Sequence, residues 1–156
     1  IYHPQLHEVA DLANAFPGAT IILNHVGGPL GVGPYAGKRD AIFPDWKESM
    51  TALAASPNVV VKVGGLVMPV CGFDWHERTM PTASGELARE TAPYYLHCIE
   101  QFGPGRCMFE SNFPVDKVAC SYTVLWNAFK RLAHGFTPGE QAALFHDTAA
   151  RVYRLS

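Results

Sequence analysis

Three short runs of apolar and β-branched residues, 19–25 (ATIILNH), 58–64 (NVVVKVG) and 106–111 (RCMFES), predict buried strands. Each is followed by Gly, Pro or Asn, the pattern of parallel strands covered on both faces. Between them the apolar spacing turns helical. Leu6, Val9, Ala13 and Phe16 fall on one face before Pro17-Gly18 stops the helix, and Trp46, Met50 and Leu53 repeat the pattern before Ser56-Pro57. A third helix is predicted over 84–102, with Pro93 expected to kink or split it. Val118, Tyr122, Leu125 and Phe129 mark a fourth. Thr137-Pro138-Gly139-Glu140 then offers a capping box with Pro at the first helical position, and Phe145, Ala149 and Val152 are expected to line the inner face of the final helix.

The order α-β-α-β-α-β-α-α calls for a parallel sheet with right-handed crossovers. Two long Gly- and Pro-rich segments, 26–42 and 65–83, follow the C-terminal ends of the first two strands. Barrel enzymes place their chemistry there, and long loops in a compact domain are usually functional or disordered, so a closed barrel is favoured over an open sheet.

Composition narrows the function classes. The chain has 156 residues, and its 12 Lys+Arg against 14 Asp+Glu leave a formal charge of −2, which gives no reason to expect nucleic acid or an anionic membrane as partner. No apolar run approaches the ~20 residues of a membrane span. The cysteines at 71, 98, 107 and 120 lack C-x-x-C spacing, so they read as reduced thiols in a cytoplasmic protein and disfavour a zinc ribbon. The first residue is Ile1 and not Met, which trimming or a truncated reading frame would explain.

The candidate chemistry sits at the predicted strand ends. By alternation, His25 shares a face with Leu23 and Ile21 and would top a column pointing into the barrel, where it could bind a metal, polarise a carbonyl or move a proton. A hydrogen-bonded core histidine is the alternative. Lys62 lies among valines, so it must be paired or reach the barrel mouth: either it holds a substrate anion or it forms a structural ion pair with Glu110. Glu110 and Asn112 share a face by alternation, and carboxylates at strand ends serve as bases or metal ligands. Asp116 is either a further catalytic carboxylate or the N-cap of the next helix. In the second long loop, Arg78 of His76-Glu77-Arg78 could hold a substrate carboxylate as a bidentate fork, or could belong to a solvated charged loop. His3 and His7 have i,i+4 spacing, but Pro4 breaks a helix through them and argues against a shared metal. Gly31-Val32-Gly33-Pro34-Tyr35-Ala36 formally matches a dinucleotide fingerprint, but it follows no strand directly and opens no helix, so it is rejected.

Three strings, Asn24-His25-Val26-Gly27-Gly28-Pro29, Val61-Lys62-Val63-Gly64-Gly65-Leu66 and Cys107-Met108-Phe109-Glu110-Ser111-Asn112-Phe113-Pro114, resemble the amidohydrolase-related branch of the amidohydrolase superfamily. The closing Leu144-Phe145-His146-Asp147-Thr148-Ala149-Ala150-Arg151-Val152-Tyr153 looks like that family's C-terminal helix. The resemblance covers nearly the whole chain in order. It implies a metal-dependent (β/α)8 TIM-barrel hydrolase of the lactonase kind, with His25 ending strand 6, Lys62 in strand 7 and the SNFP segment ending strand 8. Ile1-Tyr2-His3 would then be the end of strand 5. Residues 1–156 would thus form a partial domain, the C-terminal half of the barrel, without strands 1–4 and their H-x-H metal pair. A whole barrel takes about 250 residues, so this half is expected to be poorly stable alone or to associate as a homo-oligomer.

The resemblance also implies catalytic roles for His25, Glu110, Asn112 and Asp116, a divalent metal such as zinc on His25, and small-molecule substrate contacts from His3, Lys62, His76 and Arg78. The family's aspartate position is occupied by Asn112, and an amide cannot act as a general base. The expected reaction is hydrolysis of a lactone or related cyclic ester. The alternatives are non-oxidative decarboxylation within the same superfamily, or an inactive truncated chain.

Overall fold

The structure, a computed structural model, describes residues 1–155. Three parallel strands, β1 (Ile21–Leu23), β2 (Val59–Val63) and β3 (Cys107–Phe109), form one sheet in the order β1-β2-β3. Ile21 is opposite Val59, and Val61 lies opposite both Leu23 and Cys107. Helices α1 (Leu6–Ala15), α2 (Arg39–Ala54), α3 (Ser84–Phe102) and α4 (Tyr122–Leu132) alternate with the strands. A short α5 (Pro138–Ala142), a π-helical turn (Ala143–Asp147) and α6 (Thr148–Tyr153) close the chain.

The sheet has two unlike faces. Leu23, Val59, Val61, Val63, Cys107 and Phe109 pack in one apolar cluster with Trp46, Met50, Leu53, Leu125 and Phe129 from the helices. The alternate residues Ile22, Val60, Lys62 and Met108 point the other way, Lys62 lying level with Met108. Helix positions follow the same logic: Leu6, Val9 and Ala13 are buried, as are Trp46, Met50 and Leu53. Arg106, just before β3, donates to the carbonyls of Phe102, Ser56 and Ala54, tying the N-terminal ends of the strands to the helices.

Several expectations are corrected. Each strand is shorter than predicted at both ends, and after β1 the backbone turns over at His25 with positive φ. Ile1-Tyr2-His3 pairs with no strand of the sheet among the described residues: Tyr2 is extended, the chain enters a tight turn at His3–Gln5, and the His3 N–H bonds the Gly28 carbonyl at 3.2 Å. Pro93 does not split α3. It lies on the exposed face one turn after exposed Arg89, whose freed carbonyl can meet water. Phe16 and Val118 are exposed. Asp116 caps no helix; the hydroxyl of Ser121 caps α4 by accepting from the Val124 N–H at 3.2 Å. The capping box at Thr137 and Glu140 is present. The π-helical turn then shifts the helical phase, so that Leu144 and Thr148 are the fully buried positions, while Phe145, Ala149 and Val152 are half-buried. The four cysteines are free and buried, and among the described residues no helix is long and apolar enough to cross a membrane.

Candidate active site

His25 leaves the face that strand alternation assigns to it. Ile21 and Leu23 both pack toward the helices, so a straight strand would send His25 there as well. Instead the backbone turns over at the end of β1, with φ of 55° at His25 and 47° at Val26, followed by positive φ at Gly27 and Gly28. A left-handed conformation at a β-branched residue is strained, and such strain persists only where the surroundings impose it. The surroundings are visible. Glu110 Oε1 accepts from the His25 backbone N–H at 3.1 Å and contacts the His25 imidazole Nδ1 at 2.5 Å. The buried Trp46 indole N–H bonds the Val26 carbonyl at 2.9 Å from beneath.

A carboxylate oxygen only accepts, so the ionised Glu110 leaves the ring proton on Nδ1 and the lone pair on Nε2. The second carboxylate oxygen of Glu110 lies 3.6 Å from Lys62 Nζ. Burial works against the Lys62 charge, but the Tyr153 hydroxyl and Glu110 outweigh it and raise its pKa above the ordinary lysine value. The result is an imidazole–carboxylate–ammonium group spanning the ends of all three strands.

Gly64 and Gly65 make this approach sterically feasible. A β-carbon at Gly64 would collide with the backbone and Cγ of Glu110, and one at Gly65, where φ is 75°, would collide with the His25 ring. Gly64→Ala should therefore destabilise the chain by about 1–3 kcal/mol. A urea-unfolding midpoint equal to that of the parent chain would disprove the tight approach.

Asn112 departs from its expected place beside Glu110. With φ of 51° it also leaves the strand geometry, and its amide donates to Asp116 Oδ1 at 2.6 Å. Asp116 is wholly buried and its Oδ2 has no partner. Burial pushes its pKa up to about 7, with Glu110 adding to the rise while Asn112 and His25 oppose it. A carboxyl group titrating near neutrality is suited to proton transfer.

The sign for stability follows from this shift. The native state holds the Asp116 proton more tightly than the unfolded chain, so its stabilising contribution is complete below about pH 3.8 and is lost as the pH rises through about 7. Asp116→Asn should flatten that decline, and urea midpoints measured across this window check it.

The remaining candidates do not join the cluster. None of His3, His76 or Arg78 shares a hydrogen bond or ion pair with His25, Lys62, Glu110, Asn112 or Asp116. His3 Nδ1 accepts from the Leu30 N–H, His76 lies 3.9 Å from Glu77, and Arg78 pairs with Glu86 at 2.6 Å. Two contributors were missed from sequence. The Gly64-Gly65 pair was a usable signal, since adjacent glycines at a strand end mark a close approach. Tyr153, far along the chain, carries no local signal for its place beside Lys62.

The residue pattern of the amidohydrolase family matches residues 1–155. This chain belongs to the amidohydrolase family. An uncharacterized protein y4mH of Sinorhizobium fredii is 40% identical over 155 residues, 99% of this chain and 46% of that protein. An L-fucono-1,5-lactonase of Burkholderia multivorans is 30% identical over 158 residues, 99% of this chain and 50% of the lactonase. The crystal structure of a Burkholderia multivorans amidohydrolase with bound zinc superimposes with a TM-score of 0.83 at 29% identity, covering all of this chain and 51% of that one. The chain thus spans about half the length of the relatives it matches.

Zinc in that relative prompts a test of the donors here. Among the described residues no group of three or more His, Cys, Asp or Glu could hold a metal ion. His25 Nδ1 is committed to Glu110, and one oxygen of Asp116 to Asn112. The residues present do not by themselves make a zinc site.

Proposed function

We propose that residues 1–156 are the C-terminal half of a (β/α)8 barrel, from the end of strand 5 through strand 8 and the terminal helices, and that the completed barrel hydrolyses a sugar lactone. The contact of Glu110 with both the backbone and the ring of His25 carries this reading. The orientation is that of a histidine base aligned by a carboxylate. His25 Nε2 takes a proton from water as the water oxygen bonds to the lactone carbonyl carbon. When the ring C–O bond breaks, the imidazolium returns that proton to the departing oxygen, and a hydroxy acid is released. Lys62 holds negative charge developing on the carbonyl oxygen, and Asp116, held by Asn112, is a second proton reservoir. The substrate class is taken from the lactonase relative.

β1 and β3 each lack a strand partner on their outer edge among the described residues, which favours association with further strands. The test is L-fucono-1,5-lactone hydrolysis by this chain alone and by this chain joined to the complementary half of the Burkholderia multivorans lactonase. The joined form should turn over lactone and the chain alone should not. Full activity in the joined His25→Ala variant removes His25 from the mechanism, and release of CO₂ from an aromatic acid would favour decarboxylation instead.

A further inference from the structure

The left-handed turn His25–Gly28 is held from three sides, and the third side is His3. Glu110 fixes His25, and Trp46 fixes Val26. Gly28 closes the turn by donating its N–H to the His25 carbonyl at 2.8 Å, and its own carbonyl accepts from the His3 N–H at 3.2 Å. Further on, the Leu30 N–H donates to His3 Nδ1 at 3.1 Å. His3 thus grips the exit of the turn twice, through its backbone and through its ring. The Tyr35 ring meets the imidazole edge-on, with 4.9 Å between centroids and 73° between planes, which limits rotation of the imidazole. The grip extends to the second long loop, because the Gly31 N–H bonds the Val70 carbonyl at 2.8 Å and Gly31 packs directly on Gly72.

We propose that His3 is a positioning residue for His25: its neutral imidazole tethers the segment Gly28–Leu30 and so holds the strained turn that aims the His25 ring. The proposal rests on the hydrolytic role of His25, since the aim of that ring matters to the rate only if His25 takes part. Left-handed backbone at His25 and Val26 persists only while its surroundings over-determine it, and His3 supplies two of those restraints. A backbone N–H only donates, so His3 Nδ1 carries a lone pair and the ring proton sits on Nε2. An imidazolium has no lone pair to offer, and protonation of His3 releases Leu30. Burial lowers the His3 pKa, and the Gly28 carbonyl and Asp45 oppose that without reversing it. The native chain therefore holds this proton less tightly than the unfolded chain. The tether is complete above about pH 6.5 and is lost as the pH falls through the lowered pKa. Among the described residues, the titratable groups facing His3 are Asp45 on α2, His7 on α1, and Tyr35 and Lys38 ahead of α2.

Amide exchange with solvent and imidazole ¹H–¹⁵N spectra of the chain test it, with His25→Gln assigning the His25 signals. The Leu30 protection factor should fall roughly five- to tenfold between about pH 8 and about pH 5, and by as much in His3→Ala at the higher pH. His3→Asn places an uncharged acceptor near the Nδ1 position, so its Leu30 protection should match that of the parent at high pH and persist at low pH. At high pH the His25 signals should shift or broaden in His3→Ala and keep their parental positions in His3→Asn. In the completed barrel, His3→Ala should lower kcat for the lactone about tenfold with KM within twofold, because a positioning residue acts through His25 and not on the substrate, and His3→Asn should restore the rate. Equal Leu30 protection in the parent and in His3→Ala overturns the tether. Parental His25 signals in His3→Ala overturn the positioning role, and loss of protection at low pH in His3→Asn overturns control by His3 protonation. A completed barrel without lactonase activity defeats the hydrolytic reading, while the exchange and imidazole spectra still decide the tether.

Discussion

Glu110→Gln should lower kcat/KM for lactone hydrolysis by the completed barrel by about 10²- to 10⁴-fold, the range over which a positioned base and its orienting carboxylate act. Glutamine keeps the size of Glu110 and can still accept from His25 Nδ1, but it loses the charge that favours an imidazolium and the charge that pairs with Lys62. Far-UV circular dichroism should be unchanged, because the substitution removes no apolar packing. The contrast separates a chemical role from a structural one. A rate within twofold of the parent at unchanged folding would show that the Glu110–His25 contact is only structural.

Trp46→Ala should produce the largest stability loss, about 3–5 kcal/mol, read as a lower urea-unfolding midpoint. The indole is wholly buried, lies 4.8 Å from the Tyr94 ring and 5.6 Å from the Phe43 ring, and supplies the hydrogen bond to the Val26 carbonyl. Its removal opens a cavity and frees the left-handed turn that aims His25, so the site should loosen with the core. Trp46→Phe fills most of the space without restoring the bond. It should recover much of the stability and less of the site's order, seen as broadened His25 resonances. A midpoint for Trp46→Ala equal to that of the parent chain would contradict the packing.

The amino-acid order by itself determined the number, order and parallel sense of the strands, the residues at the centre of α1 and α2, and the capping box at Thr137. These features depend on local apolar periodicity and turn chemistry, which a linear sequence records directly. Position at the predicted strand ends, with the family resemblance, singled out His25, Lys62, Glu110, Asn112 and Asp116, and all five lie at the C-terminal edge of the sheet. Their mutual arrangement was not legible. Alternation holds only while the backbone stays in the strand, and both His25 and Asn112 leave it with positive φ. Only the tertiary structure decided that His25 swings onto Glu110, that Asn112 turns to Asp116, that Asp116 is buried and not a cap, and that Arg78 pairs with Glu86. Each of these outcomes is set by contacts between distant segments, such as Trp46 beneath Val26 and Gly64-Gly65 beside Glu110 and His25. Their energies override local preference, and local sequence does not encode them.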